Sequence, residues 1–87
     1  MIYWTYILFS KQINKFYVGH TSDVQVRLEQ HNAAKGSFTK RGIPWKLVWC
    51  LQKNSRSEAI VLENKIKKRG AKRFLNDLTT RGVAQPG

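Results

Sequence analysis

Two runs of β-favouring residues lie too close together in the chain to be anything but neighbouring antiparallel strands. From Tyr3 to Phe9 nearly every residue is aromatic or β-favouring, and after the polar stretch Ser10 to Asn14 a second run, Phe16 to Val18, ends at Gly19. Parallel strands need a crossover of roughly a dozen residues or more, so this link makes a hairpin. Parity puts Trp4, Tyr6 and Leu8 on one face of the first strand, and Phe16 and Val18 on the face opposite Tyr17 in the second. Apolar groups on both faces predict cover on both sides.

The rest of the chain alternates in kind. Ser22-Asp23-Val24-Gln25 has the spacing of a capping box, and Val24, Leu28 and His31 follow at helical intervals, predicting a helix to about Asn32 before Gly36 ends the pattern. Ala33 to Pro44 carries Lys35, Lys40 and Arg41 with Gly36 and Gly42 and no acid, the composition of an exposed basic loop. Trp45, Leu47, Trp49 and Leu51 then alternate with Lys46, Val48, Cys50 and Gln52, the period of a third strand starting after Pro44. Ser55-Arg56-Ser57-Glu58 is a second capping box, opening a helix with an Ala59, Leu62, Ile66 stripe that ends in basic residues and Gly70. A last helix is expected over Ala71 to Leu78, packing Phe74, Leu75 and Leu78. The expected architecture is α/β (α+β): a three-stranded antiparallel sheet flanked by helices in the order ββαβαα. Residues 1–78 form one domain and residues 79–87 a disordered tail.

A chain of 87 residues leaves room for one core, and 41% hydrophobic residues exclude a mostly disordered one. The balance of 16 Lys+Arg against 5 Asp+Glu, a net +11, exceeds what solubility requires and points to a polyanionic partner, nucleic acid first. The lone Cys50 allows neither an internal disulfide nor a thiolate metal cluster, which suits a reducing compartment such as the cytoplasm. The longest uncharged run, Met1 to Ser10, is about half the ~20 residues a membrane span needs, so no membrane role is expected.

Glycine-rich phosphate loops, zinc spacings and serine-hydrolase elbows are absent from the sequence. Its five acids include no close pair, so a metal-dependent phosphodiesterase would have to work with one carboxylate. Glu63 is the acid worth weighing, lying about 60° from the centre of the apolar stripe of its helix, at the rim of a packed surface. The plainer reading is an i,i+4 ion pair with Lys67, worth about 0.2–0.5 kcal/mol. Arg27 and His31 share the helix side expected to turn toward the sheet, where a cation needs an anion and a histidine more often bonds to backbone. Tyr6 and Tyr17 meet across the hairpin, the ordinary position of core aromatics.

Taken together, these residues form an ordered pattern. Tyr6 is followed by Tyr17-Val18-Gly19, then by Arg27-Leu28 and His31-Asn32, Pro44-Trp45-Lys46-Leu47-Val48, Ser55-Arg56-Ser57-Glu58-Ala59, Glu63 and Ile66-Lys67-Lys68. The pattern resembles the GIY-YIG nuclease superfamily over residues 3 to 74, in particular its small single-domain bacterial branch, YhbQ-like and similar to the N-terminal part of UvrC. The first triplet departs from the family name, since Trp4-Thr5-Tyr6 keeps only the tyrosine. Asn76 is the nearest match to the family's late asparagine, with Asn64 beside the glutamate as the other candidate.

The resemblance implies a GIY-YIG endonuclease fold and hydrolysis of phosphodiester bonds in DNA, with a structure-selective, repair-related role. It also implies a single Mg²⁺ or Mn²⁺ held by Glu63 and otherwise by water and phosphate. Tyr17 would orient or deprotonate the attacking water, a task that calls for cationic neighbours such as Arg27 or the metal. Arg27 would stabilise charge on the scissile phosphate, His31 would assist it and Tyr6 would position nucleophile or phosphate. Gly19 and His20 are expected against substrate, His20 falling where UvrC-like subunits carry a lysine, and Asn32 joins Asn76 as a possible site residue. Independently of the family, Lys65 to Arg73 holds six cations and no acid. Lys67, Lys68, Arg69, Lys72 and Arg73 thus form one candidate phosphate track, and Lys35, Lys40, Arg41 and Lys46 another. DNA is expected ahead of RNA, with a helper protein or a homodimer as possible partners. The competing reading is a small basic nucleic-acid-binding module, associated with RNA or ribosomes, without useful catalysis.

Overall fold

The computed structural model describes residues 1–33 and 39–84, so Lys35 and Gly36 of the basic loop and residues 85–87 lie outside the described residues. Strand β1 (Tyr3–Ser10) is the middle of a three-stranded antiparallel sheet, between β2 (Lys15–Thr21) and β3 (Trp45–Lys53), in the order β2-β1-β3. The hairpin turn is closed by Asn14 at φ 53°, a left-handed conformation that Asn tolerates better than most residues. Helix α1 (Val24–Asn32) links β2 to β3 across one face, while α2 (Arg56–Arg69) and α3 (Ala71–Ala84) follow β3.

Both faces are covered, as the two-sided apolar pattern requires. Tyr6, Leu8 and Trp45 form a cluster on the α1 side, with Tyr17, Leu28 and Leu47 packed against it. Ile7, Val18 and Ile66 form the cluster on the α2–α3 side, with Phe16, Trp49, Leu62, Phe74 and Leu75 around them. Burying a large apolar side chain is worth about 1.5–3 kcal/mol, and the two clusters are the main store of stability in so small a domain.

The structure corrects several local expectations. β2 does not end at Gly19 but pairs with β1 through Thr21, so this glycine sits inside a strand. α1 is capped by Asp23, whose carboxylate accepts from Val26 N at 3.1 Å, and not by Ser22. The Thr21 hydroxyl bonds the Asp23 backbone and keeps residues 21–23 out of the helix, which moves the start one position along. In β3 the register shifts between Ile7 and Leu8, which pair with Trp49 and Leu47 and leave Val48 over. One extra residue reverses the parity. Trp45 and Leu47 therefore face α1, Trp49 faces Phe74 on the other side, and Leu51 is left 44% exposed.

The Ser55 cap is as expected, accepting from Glu58 N at 3.2 Å, and Gly70, at φ 96°, separates α2 from α3. α3 continues to Ala84 rather than stopping at Leu78. Leu78 does not pack as expected and is 39% exposed, because one turn beyond Leu75 the helix has left the apolar surface that holds it.

Candidate active site

Four of the five candidate catalytic side chains meet on the α1 face. Tyr6 stands on the central strand opposite Gly19 of β2, and its hydroxyl reaches over that glycine: a Cβ there would lie 2.6 Å from the phenol oxygen. Gly19 is thus a place where a side chain crosses bare backbone, which is why it interrupts the strand pattern without ending the strand. Tyr17, two residues earlier on the same face, stacks on Tyr6 at 6.3 Å between ring centroids and meets the His31 ring edge-on at 4.7 Å.

Arg27 and His31, one helical turn apart on α1, converge on the phenol from above. Arg27 Nε donates to the Tyr6 oxygen at 3.4 Å, and His31 Nε2 lies 3.0 Å from the same oxygen. Burial, assisted by the neighbouring Arg27 charge, lowers the His31 pKa to about 4, so the imidazole is neutral, and in the tautomer with its proton on Nδ1 it accepts at Nε2. Burial also pushes the Tyr6 phenol up to about 12, although the Arg27 hydrogen bond works against it. The proton order that follows is Arg27 donating to Tyr6 and Tyr6 donating to His31. The bond to Tyr6 raises Arg27 in turn, with burial opposing and Tyr17 a further hydrogen-bond partner.

Glu63 approaches from the opposite face. It is 9% exposed on α2, a helix fastened to β1 by the buried Thr5 hydroxyl donating to Ala59 O at 2.8 Å. Its two carboxylate oxygens are taken separately, Oε1 by His20 Nδ1 at 2.5 Å and Oε2 by Lys67 Nζ at 2.6 Å. Burial alone would raise the carboxyl, yet the bonds from Lys67 and His20 hold it below the usual range and keep it ionised. The two halves meet at β2, the edge strand. Tyr6 pairs with Gly19 and Thr5 with His20, so the phenol lies over one residue while the imidazole of the next turns under the sheet to Glu63. The Glu63 charge reaches the Tyr6 phenol and contributes to its raised pKa.

The remaining site candidates fall into place unevenly. Asn32 is engaged in the scaffold: its amide accepts from Trp45 N at 2.5 Å and donates to Trp45 O at 3.0 Å, clamping the end of α1 to the start of β3. Trp45 in turn donates from its indole to Thr39 O at 2.7 Å and lies edge-on to Tyr17. Arg69 is tied by two 2.9 Å bonds to Asp77, joining α2 to α3. Lys40, Arg41, Lys68, Lys72, Arg73 and Asn76 are exposed. His20 and Lys67 contact Glu63 and are not simply surface groups. The Lys67 spacing was visible in the sequence, whereas the His20 contact spans 43 positions and had no local signal. Among the described residues no three His, Cys, Asp or Glu side chains gather as a ready-made metal cage, and no helix is long and apolar enough to cross a membrane.

Comparison with known proteins agrees with the order of these residues. The sequence pattern of the GIY-YIG catalytic domain is matched by residues 2–76. A UPF0213 protein of Staphylococcus haemolyticus is 39% identical over 66 residues, covering 75% of this chain and 79% of the relative. One from Streptococcus agalactiae is 42% identical over 48 residues, and there the chain spans only 54% of the relative's length. The solution NMR structure of a UPF0213 protein from Bacillus halodurans is similar at a TM-score of 0.56 and 30% identity, covering 99% of this chain and 89% of that one.

Proposed function

Because the chain belongs to the GIY-YIG nuclease family, we propose that it is a divalent-metal-dependent endonuclease that hydrolyses phosphodiester bonds in DNA, with a structure-selective role in repair. The observation that carries this reading is the convergence at one edge strand. A phenol–guanidinium–imidazole cluster occupies one side of Gly19-His20 and an ionised, nearly buried carboxylate the other. A binding-only module has no need to bury that carboxylate, which removes a negative charge from water beside a polyanion's path.

Glu63 suits a hard cation, since it is held ionised and offers carboxylate oxygens. It would hold a single Mg²⁺ or Mn²⁺, which supplies charge neutralisation at the phosphate and acidifies bound water. Tyr17 orients the attacking water, or takes its proton once the phenol has released its own to solvent, with Arg27 as the cation beside it. Arg27 also places its planar fork on the phosphate oxygens, where negative charge grows in the transition state. Tyr6 keeps its proton, given its pKa of about 12, and acts by position, locked between the Arg27 donor and the His31 acceptor. His31 remains neutral and fixes the direction of the Tyr6 hydroxyl.

The test is cleavage of labelled single-stranded, duplex, flap and branched DNA by the full chain with Mg²⁺, Mn²⁺ or EDTA, beside Glu63→Ala. Cutting is expected with either metal, is lost in EDTA, and is abolished in the variant while DNA affinity is kept or raised. A Glu63→Ala protein that cuts at the wild-type rate refutes the assignment. Arg27→Ala should lower turnover more than affinity, and equal losses in both would reduce it to an anchor.

A further inference from the structure

Both oxygens of the Glu63 carboxylate are occupied, and its two partners are not equivalent. His20 is fixed in the sheet, with its side chain 27% exposed. Lys67 reaches the other oxygen from one turn along the same helix, and its side chain is 54% exposed against 12% for Glu63. A flexible four-carbon stem with a strongly hydrated head leaves such a contact at little cost. A nearly buried carboxylate, by contrast, cannot be left without a cation.

On the reading of Glu63 as the metal ligand, we infer that Lys67 is an exchangeable counter-cation. It neutralises Glu63 in the metal-free protein, yields Oε2 to the divalent ion, and then turns outward to bind a backbone phosphate of the nucleic acid.

Three observations carry the step. Lys67 Nζ sits 2.6 Å from Oε2, within the space an ion on that oxygen would need, so the ammonium and the ion exclude each other sterically as well as by charge. The flanking Lys65, Lys68 and Arg69 offer a released ammonium no acid to return to, and Asp77, the next acid toward the C-terminus, already holds Arg69. Lys67 is itself exposed, as are Lys68, Lys72 and Arg73 close by in the chain, so a phosphate backbone held there can replace the lost carboxylate. Metal and nucleic acid then strengthen each other's binding, and by linkage the coupling is the same in both directions.

The experiment titrates Mn²⁺ into the full-length protein and follows the paramagnetic resonance signal of free aquated Mn²⁺. Wild type, Lys67→Met and Glu63→Gln are compared, each with and without a phosphorothioate oligodeoxynucleotide. Lys67→Met keeps the aliphatic stem at an exposed position and should fold normally. Without oligonucleotide it is expected to bind Mn²⁺ about three- to fivefold more tightly than wild type, the worth of one partly screened ion pair. With oligonucleotide, wild type should gain Mn²⁺ affinity and Lys67→Met should gain less. If Lys67→Met binds Mn²⁺ no better than wild type, or shows undiminished coupling, the exchange is refuted while the nuclease reading stands. If wild type and Lys67→Met both fail to bind Mn²⁺, or Glu63→Gln binds it as well as wild type, the metal assignment fails and takes the exchange with it.

Discussion

Arg27 finds its partner in a phenol. A cation turned toward the sheet was expected to need an anion, but Asp23 is spent on the helix cap and Glu29 pairs with Gln25 on the surface. Arg27 instead donates to Tyr6 and to the Gln30 amide, keeping its full charge for an incoming phosphate. The consequence falls on His31, 3% exposed and held neutral to a pKa of about 4 from an ordinary 6.5. The unfolded chain takes up a proton at this residue between pH 6.5 and 4 and the folded protein does not. Stability is therefore full above pH 6.5 and falls as the pH drops through that window, by on the order of 3 kcal/mol in all. The depressed Glu63 carboxyl adds its own loss only below its unfolded value of 4.5. Urea unfolding of wild type and His31→Gln from pH 7 to pH 4 should show a steeper decline for wild type, with the variant less stable at pH 7. Parallel curves would mean that His31 takes up a proton without cost in the native protein.

At the scale of elements, what could be read in the sequence is what is local. The hairpin, the Ser55 cap and the Gly70 break each depend on residues within a few positions of one another, and each was legible. The Val48 bulge depends on how β3 meets β1, some forty residues away, and strict alternation in Trp45 to Gln52 concealed it. The helical wheel placed Glu63 at a packed rim, but only the folded sheet brings His20 beneath it. Asn32 shows the same limit: its place beside a candidate catalytic histidine was legible, whereas its clamp on Trp45, thirteen residues on, was not. Asn32→Ala removes two hydrogen bonds and leaves the Trp45 backbone groups unpaired, which should cost about 2–3 kcal/mol and lower the unfolding midpoint in denaturant. Since α1 also carries Arg27 and His31, turnover should fall along with stability. A variant with wild-type stability would show that water replaces the amide without loss.

Across the whole molecule, charge is distributed more selectively than the count of +11 implies. Not every cation in Lys65 to Arg73 is available to a phosphate backbone in the metal-free protein: Arg69 is committed to Asp77, and Lys67 to Glu63. The exposed Lys68, Lys72 and Arg73 remain on the α2–α3 side. Lys40 and Arg41 belong to the other side, in a turn joined to Trp45 through Thr39. Binding through such contacts releases counterions, so affinity should fall linearly on a log–log plot against salt, with a slope of about −0.9 per duplex phosphate neutralised. Removing Lys68 and Lys72 together as alanines should flatten that slope by about one to two and weaken binding equally for unrelated sequences. Arg69→Ala should leave the slope nearly unchanged and lower stability slightly instead, because its charge is already balanced. Titrations of fluorescent DNA at several salt concentrations decide between these outcomes: a slope that drops as far for Arg69→Ala as for a lysine variant would show the Asp77 pair opening on binding, and the phosphate track would then run unbroken around the α2–α3 corner.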